Sequence, residues 1–476
     1  MTTTPAPRHR HFAALFSCLL LLLPGLAQAL TRPPLPELER ARALVIDGRY
    51  QLAEQYLDAL VINPGLSARQ RANAYYYRGY SFGVRGHYRS AAVDYQRALQ
   101  YDPAHQGSLL ALAQAHARGL GLQQDEAQAL DLALRAARSG HAPAKLFAGA
   151  ALLRQTTPDQ PANLNRARYW LAQAGKAGQN TAWALLATSY RARHTADPDP
   201  QQARQLYERA INLGDRIPAL SGLAHMHLNG ELPDADATQA IALFEEAATR
   251  GDPQAQTTLA AIHLAVAGVP DMMDEAQTDK VTPLLHDAPE TLFRRAAELC
   301  TEAANAGHVP AKVQCAFVYS EGPDDLADPD LSHAFLERAA RAGHLGSQLR
   351  LADLALGRAP NGEPDAIREA VNWYRAAARQ GDLRAQNNLA WVLATTTDAS
   401  LRNPEEALAA ALAAVQANPS PGYLDTLAAA YAAAGDFEQA QQVQRRALGK
   451  LSEDDELREE FQMRLSQYEQ GRPWRE

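Results

Sequence analysis

Two cysteines, Cys300 and Cys315, have the side chains best suited to chemistry in this sequence. They lie fifteen positions apart in the stretch AELCTEAANAGHVPAKVQC, and the remaining cysteine, Cys18, is among the first twenty residues. Two thiols at this spacing can form a disulfide, half of a metal site, or a nucleophile with a neighbour. They can also be two small packing residues, and the choice depends on what the flanking AANAG does.

Motifs for catalysis or metal binding are missing from the remainder of the sequence. It has no Gly-rich phosphate loop, no nucleophile elbow and no zinc-binding His-Glu-x-x-His pattern. The nearest metal signal is His225-Met226-His227, but residues two apart on a helix point to different sides and cannot easily hold one ion. We therefore expect no catalytic residue, no metal and no cofactor.

A run of three tyrosines, Tyr75, Tyr76 and Tyr77, is the clearest candidate for ligand contact. Successive residues of a helix point in different directions, so one or two of the rings must pack inward. The others can face a groove, where aromatic rings suit peptides and also stack against sugars. Core packing and groove contact both remain open for these residues.

The N-terminus has the pattern of a secretory signal. Arg8 and Arg10 precede an apolar run from Phe12 to Leu23, which ends in a small-residue exit at Ala27-Gln28-Ala29. We expect cleavage after Ala29 and export across the inner membrane, most simply to the periplasm. A retained N-terminal anchor is the alternative, whereas lipidation at Cys18 is disfavoured because five leucines follow it.

Composition and charge narrow the function classes. The chain has 476 residues and a formal net charge of −8, and removal of residues 1–29, with two arginines and no acids, gives −8 − 2 = −10. There is no basic field to hold nucleic acid, so we expect no nucleic-acid partner. The length suits about three average domains or one elongated repeat array.

Glycines recur through the middle of the chain with a nearly constant period. Successive spacings are 38, 36, 37, 56, 36 and 38, and the long one reflects an insert near 267–292. An alanine stands four residues before every glycine and a large apolar residue eight before it. The glycines are Gly140, Gly178, Gly214, Gly251, Gly307, Gly343 and Gly381.

This pattern predicts a helix that buries one face, ends at a left-handed glycine cap and is followed by a second, antiparallel helix. Because one such pair cannot bury its face alone, seven units on one period indicate a stacked array rather than an ordinary helix bundle.

Units at both ends of the array are related but shorter. Gly48, Tyr50, Ala53 and Leu57 are echoed by Gly86, Tyr88, Ala91 and Tyr95, and the segment YLDTLAAAYAAAGDFEQAQ follows the same pattern near the end. These flanking units resemble tetratricopeptide repeats. The central units, with LATSY, LAHMH and CAFVY in one helix and AAxxG closing the next, resemble Sel1-like repeats.

The resemblance implies an all-α fold, a right-handed α-solenoid of stacked antiparallel helix pairs that binds protein partners in a concave groove. We expect a signal peptide at 1–29, a proline-rich spacer at 30–36, N-terminal tetratricopeptide-like repeats at 37–140, Sel1-like repeats at 141–418, a C-terminal tetratricopeptide-like repeat at 419–451, and a capping helix and tail at 452–476. The capping helix should begin at a capping box on Ser452, and the tail from Gly471 should be frayed.

The repeat alignment changes the interpretation of the two thiols. Cys300 and Cys315 both stand in columns of packing residues, at equal distances from the turn between Gly307 and His308. Antiparallel helices joined at that turn place these positions at the same height, facing each other. In an oxidising compartment we therefore expect a disulfide from Cys300 to Cys315, with buried free thiols as the alternative.

The leading functional hypothesis is an exported, non-catalytic scaffold that mediates protein–protein interactions in the cell envelope, possible settings being polysaccharide export and cell-wall assembly. Two alternatives belong to other classes: a regulator that binds a glycan or small ligand through groove aromatics, and a cell-wall-active enzyme with a scattered site. The sequence leaves the partner's identity and the oligomeric state open.

Overall fold

The computed structural model describes residues 35–156, 161–191, 198–359 and 365–476. The signal peptide at 1–29 and the spacer residues 30–34 lie outside this part. The described residues form twenty-four α-helices and one short 3₁₀ turn, Thr282–Leu284, with no strand. The chain divides into two compact units, 1–235 and 236–476.

The first unit contains eleven helices. They are α1 Leu35–Ile46, α2 Tyr50–Val61, α3 Ala68–Val84, α4 Tyr88–Tyr101, α5 Gln106–Arg118, α6 Glu126–Arg138, α7 Ala142–Arg154, α8 Pro161–Lys176, α9 Thr181–Thr188, α10 Pro200–Asn212 and α11 Arg216–Leu228.

The second unit contains thirteen helices. They are α12 Ala237–Thr249, α13 Pro253–Val266, α14 Glu275–Val281, α15 Pro289–Asn305, α16 Val309–Glu321, α17 Pro329–Arg341, α18 Leu345–Arg358, α19 Ala366–Ala378, α20 Leu383–Thr395, α21 Pro404–Ala417, α22 Pro421–Ala433, α23 Phe437–Leu448 and α24 Arg458–Glu469. In both units consecutive helices of the repeats pack against each other, and the insert helix α14 packs on α13, which confirms the predicted all-α fold of stacked helix pairs.

The glycine caps form as predicted. Gly307 has a φ of 96°, and the turn is closed by hydrogen bonds from the His308 amide to the Ala303 carbonyl at 3.0 Å and from the Gly307 amide to the Ala304 carbonyl at 3.1 Å. This double bond pattern is the Schellman motif. Units ending at Gly140, Gly251 and Gly343 close in the same way.

The alanine column is fully buried. All seven members have no exposed surface: Ala136, Ala174, Ala210, Ala247, Ala303, Ala339 and Ala377. A residue with only a Cβ lets the next helix approach closely, which a larger side chain would prevent.

In several units the most deeply buried large apolar residue lies seven rather than eight positions before the glycine, whereas the unit that ends at Gly343 follows the predicted spacing, with Phe335 2% exposed and Leu336 half-buried. Among residues eight before the glycine, Trp170 and Trp373 are only half-buried, whereas those seven before it, such as Leu171, Phe244 and Tyr374, are at most 1% exposed. Because a residue and the alanine three positions later share a face as readily as a four-residue pair, spacing alone does not choose between the columns.

The two ends of the array differ from the sequence analysis. Leu35 and Pro36, assigned to the spacer, begin α1. A proline fits there because the amides of the first helical turn have no partner within the helix, so no hydrogen bond is lost. The last helix begins at Arg458, after turns rather than at a capping box on Ser452. The tail from Gly471 is not frayed, since Glu476 hydrogen-bonds to Thr395.

Two glycines separate the cap requirement from ordinary helix propensity. Gly343 has a φ of 89°, whereas Gly357 lies inside α18 with open space where a Cβ would be. We expect Gly343→Ala to lower the unfolding free energy by about 1 kcal/mol, because alanine resists the left-handed conformation. Gly357→Ala should instead raise it by up to about 1 kcal/mol. Thermal unfolding of both variants measures the difference, and an equal shift in both would contradict this account of the caps.

Candidate binding site in the N-terminal repeats

The three adjacent tyrosines on α3 point in three directions. Tyr75 is 6% exposed and its ring stacks on Tyr101 with centroids 5.8 Å apart, so it belongs to the core. Tyr77 is half-buried and packs against the cluster formed by the first helices. Tyr76 faces α4 and α5, with its ring centroid 6.0 Å from that of Tyr95. Of the three candidate contacts, Tyr76 is the one that lines the pocket described below.

A largely buried ion pair positions α3 against α4. The guanidinium of Arg78 donates to both carboxylate oxygens of Asp94, from Nε at 2.7 Å and from Nη2 at 2.8 Å, and Asp94 is 3% exposed. Its Nη1 donates to Asp58 of α2 at 2.8 Å. The hydrogen bonds to Asp94 raise the pKa of Arg78, so the guanidinium stays charged. One side chain thus fixes three helices.

The pocket lies between α3, α4 and α5 and has a volume of about 450 Å³. We call it the tyrosine pocket. Its lining residues are Tyr76, Tyr80, Gly83, Val84, Tyr88, Ala91, Ala92, Tyr95, Gly107, Leu110, Ala111, Gln114, Ala115, Arg118, Leu120 and His141. This volume is within the range of small-ligand and side-chain pockets.

Two glycines make room for the pocket's rings. A Cβ on Gly107 would lie 2.8 Å from the ring of Tyr76, and one on Gly79 would lie 2.8 Å from the ring of Tyr95. A substituted residue at either position would displace its ring. Sequence analysis assigned Tyr88 and Tyr95 only to the repeat pattern, and glycines placed next to aromatic positions were the available signal for a pocket.

The polar groups of the pocket are suited to binding rather than proton transfer. Burial raises the pKa of the Tyr76 phenol, and it also raises that of Tyr95, so both keep their protons at neutral pH. Burial lowers the pKa of His141, which is therefore neutral, and its Nδ1 has no hydrogen-bond partner among the described residues. The rim carries exposed Gln114 and Arg118. The pocket offers apolar ring faces together with neutral hydrogen-bonding groups.

The Arg78–Asp94 pair can be tested against its exposed counterpart. Asp94→Ala leaves the half-buried guanidinium without its main partner, so we expect the unfolding free energy to fall by about 3 kcal/mol. Asp58→Ala removes an exposed partner of the same guanidinium and should change it by less than about 1 kcal/mol. Chemical denaturation of the two variants provides the values, and similar losses would show that Asp94 has no special role.

The structure brings Cys300 and Cys315 together. They lie on α15 and α16 with Cα atoms 5.6 Å apart and no exposed surface, and their sulfur atoms are paired as a disulfide. The Cα separation is within the normal range for this bond. Formation of the bridge in the mature protein stays a prediction.

Mass spectrometry tests the bridge. If it forms, alkylation of the unfolded, oxidised mature chain adds nothing without reduction and two alkyl groups after reduction. We expect the bridge to add about 2 to 3 kcal/mol to stability, because it closes a short loop. Equal mass with and without prior reduction would show that the thiols are free.

A second cleft lies in the other unit, beneath the insert. Its volume is about 640 Å³, and its walls include Glu245, Glu298, Glu302 and Leu285. At its base burial lowers the pKa of His263 to about 4, which leaves a neutral imidazole. Nδ1 of His263 has no hydrogen-bond partner among the described residues.

Neither a metal-binding cluster nor a membrane-spanning helix is present in the described ranges. Within them no group of three His, Cys, Asp or Glu side chains is placed to hold a metal ion. His225 and His227 of α11 are not part of such a group. No helix in the same ranges has the length and apolarity needed to cross a bilayer.

Stacked helix pairs with a glycine cap and a buried alanine define a helical-repeat protein. The Sel1 repeat family model matches six segments of the chain, residues 107–141, 143–179, 186–215, 217–252, 310–344 and 346–382. These six segments are therefore Sel1 repeats, which places the central part of the chain in the Sel1 repeat family. The stretch between 252 and 310, which holds the insert, is unmatched. Proteins of this class are generally non-catalytic scaffolds that bind protein partners.

Solved structures of similar fold include two bacterial proteins. One is c5321, a protective antigen of uropathogenic Escherichia coli, with 19% identity, a TM-score of 0.40, and 91% of this chain and 92% of that chain covered. The other is a Sel1 repeat protein from Oxalobacter formigenes, with 19% identity, a TM-score of 0.39, and 56% and 96% covered.

A human structure is also similar. The IFIT1 dimer with m7Gppp-AAAA has 14% identity, a TM-score of 0.39, and 86% of this chain and 80% of that chain covered. None of the curated proteins matches the sequence. That this chain has no nucleic-acid partner stays a prediction.

Proposed function

We propose that this protein is an exported, non-catalytic scaffold that holds protein partners in the cell envelope, and that the tyrosine pocket is a site where a partner segment binds. The observation that carries the proposal is the pocket itself: four tyrosines surround an open volume between α3, α4 and α5, and an ion pair fixes the first two of these helices against each other. A polysaccharide-export or cell-wall assembly is the setting we favour, by analogy of fold alone.

The pocket's chemistry favours a peptide segment with an apolar or aromatic side chain. Tyr80 and Tyr88 expose 41% and 42% of their surface at the opening, and Val84 exposes 51%. Partly exposed aromatic residues around a preformed cavity are typical of the anchor sites that dominate protein interfaces. Gln114 and Arg118 at the rim can hydrogen-bond the backbone of a bound segment.

Export is supported by the signal pattern at 1–29 and by the facing thiols of the second unit. A disulfide between Cys300 and Cys315 would persist only in an oxidising compartment. The two features are independent of each other in sequence, and both favour a location outside the cytoplasm.

Fractionation tests export. The full chain is expressed in a Gram-negative host, and the intact mass of the protein released by osmotic shock is measured. We expect a mature chain that begins at Leu30, because Ala29 ends the signal. A full-length chain retained in the cytosol would contradict export, and a full-length chain in the membrane fraction would favour the retained anchor.

Partner capture tests the pocket. Tyr80→Ala/Tyr88→Ala removes two rings at the opening, and Tyr169→Ala removes a 56% exposed tyrosine of α8 in the same unit that does not line the pocket. We expect the wild type and Tyr169→Ala to crosslink the same proteins from envelope extract. The double variant should recover at least tenfold less of these proteins. Equal recovery by all three chains would exclude the pocket as the partner site.

The same rings favour a glycan as the second candidate ligand. Exposed phenol rings stack on sugar faces, and neutral side-chain amides and hydroxyl groups hydrogen-bond sugar hydroxyl groups. Calorimetry with cell-wall and exopolysaccharide fragments distinguishes the two: binding that the double variant loses, without any protein captured by the wild type, would favour the regulator.

A further inference from the structure

The tail segment, residues 472–476, lies against α20, about eighty positions earlier in the chain. The backbone amide of Glu476 donates to the Thr395 carbonyl at 3.0 Å, and the Thr397 amide donates to the Glu476 carbonyl at 3.3 Å. The Arg475 guanidinium donates to the Ala394 carbonyl at 2.6 Å. Main-chain hydrogen bonds also contribute to the affinity of extended peptides in other recognition modes.

Two indole rings complete the contact. Nε1 of Trp391, on α20, donates to the Glu476 carboxylate at 2.5 Å, and Nε1 of Trp474 donates to its other oxygen at 3.2 Å. The ring of Trp474 packs against the cluster that contains Ala428 and Tyr468. The tail segment thus uses one aromatic ring and one carboxylate, two residues apart, in addition to its backbone.

The floor beneath the tail segment is built by other parts of the chain. The Arg464 guanidinium carbon lies 4.6 Å from the ring of Trp391 and 5.4 Å from that of Trp474. Asp425 holds this guanidinium through a contact of 2.5 Å, with both side chains 6% exposed, and Gln444 donates to the same carboxylate at 2.6 Å. None of these anchoring bonds involves the tail segment, so the surface does not depend on its ligand.

The floor also has unused hydrogen-bonding capacity. Arg464 is 5% exposed and Tyr468 has no exposed surface, yet Nε of Arg464 and the hydroxyl of Tyr468 lack hydrogen-bond partners among the described residues. Buried polar atoms are usually paired, so these two atoms are unusual features of the floor.

The tail segment lies at the surface. None of residues 471–476 is buried, and Arg472 and Glu476 are exposed. By contrast, Phe461 and Tyr468 of α24 are at most 2% exposed. The helix α24 is therefore a fixed cap on the array, whereas the tail segment can leave without opening the core.

We propose that Trp391, Ala394, Thr395, Thr397 and Arg464 form a peptide-binding site for extended segments that carry an indole ring and, two residues later, a carboxylate, and that the tail segment is its resident ligand. An external segment of this chemistry binds by replacing the tail segment. The inference deepens the proposed function, on which it rests for its biological use, by adding a second site in the second unit and naming its ligand class.

Competition follows from the short connection between α24 and the tail segment. A tethered ligand acts at an effective concentration on the order of millimolar, so an external peptide binds the unmodified chain with an apparent affinity reduced by that competition. Substitutions that weaken the contacts between the tail segment and the site should restore the intrinsic affinity of the site for an external peptide.

Fluorescence anisotropy with a labelled synthetic peptide of residues 471–476, Gly-Arg-Pro-Trp-Arg-Glu, tests the proposal on the full chain. Trp474→Ala and Arg475→Ala each weaken the tail segment, and Arg475→Ala leaves the apolar cluster intact. We expect at least tenfold tighter peptide binding by each variant than by the wild type. Adding Trp391→Ala to either variant should abolish peptide binding, and a peptide of scrambled sequence should not bind to any of the chains.

Several results would overturn the proposal: equal affinity of the wild type and Arg475→Ala, or binding that survives Trp391→Ala or scrambling. Thermal unfolding checks that each variant is folded, and if Trp474→Ala is not, Arg475→Ala decides. The experiment uses no envelope partner, so failure here removes the second site and leaves the tyrosine pocket and export to their own tests.

Discussion

Close approach of helices at a buried alanine is the constraint on which the rest of the structure depends. Each alanine of the column has no exposed surface and lies in the last turn before a glycine cap. The cap sends the chain back antiparallel, and the alanine lets the returning helix pack tightly. Because each pair buries its face only against the next pair, stability is shared along the array and no single core is needed.

This arrangement separates residues that hold the stack from residues that are free for chemistry. Features with functional potential occur at three places: the tyrosines of α3 and α4, the cleft beneath the insert, and the tail segment on α20. Two of these three lie beside a buried arginine–aspartate pair. Such pairs add little net stability, because desolvation offsets the attraction, but they fix the positions of the helices they join.

Much of the fold could be predicted from the sequence, because glycine spacing and the alanine before it directly encode the turn and the packing contact. The proximity of Cys300 and Cys315 followed from the same symmetry about Gly307. The exact apolar column could not be predicted, since residues three and four apart share a helix face equally well. The starts of α1 and α24 were also missed, because prolines and capping residues permit a helix start without requiring one.

The candidate sites were less predictable than the fold. Tyr76 was one of three adjacent candidates, and only the structure shows which ring faces the pocket. The other lining residues come from α4, α5 and the start of α7, so their proximity depends on the angles between helices, which a repeat pattern does not specify. The tail segment was misjudged because its partners lie on α20, at a sequence distance over which no local pattern operates.

Photocrosslinking in living cells tests the central claim, that the tyrosine pocket receives a partner. A benzoylphenylalanine residue is introduced at position 80, on the rim of the pocket, or at position 169, on an exposed part of α8. The account predicts a crosslinked product of discrete mass at position 80 and none at position 169. Absence of a product at position 80, or the same products at both positions, would contradict it.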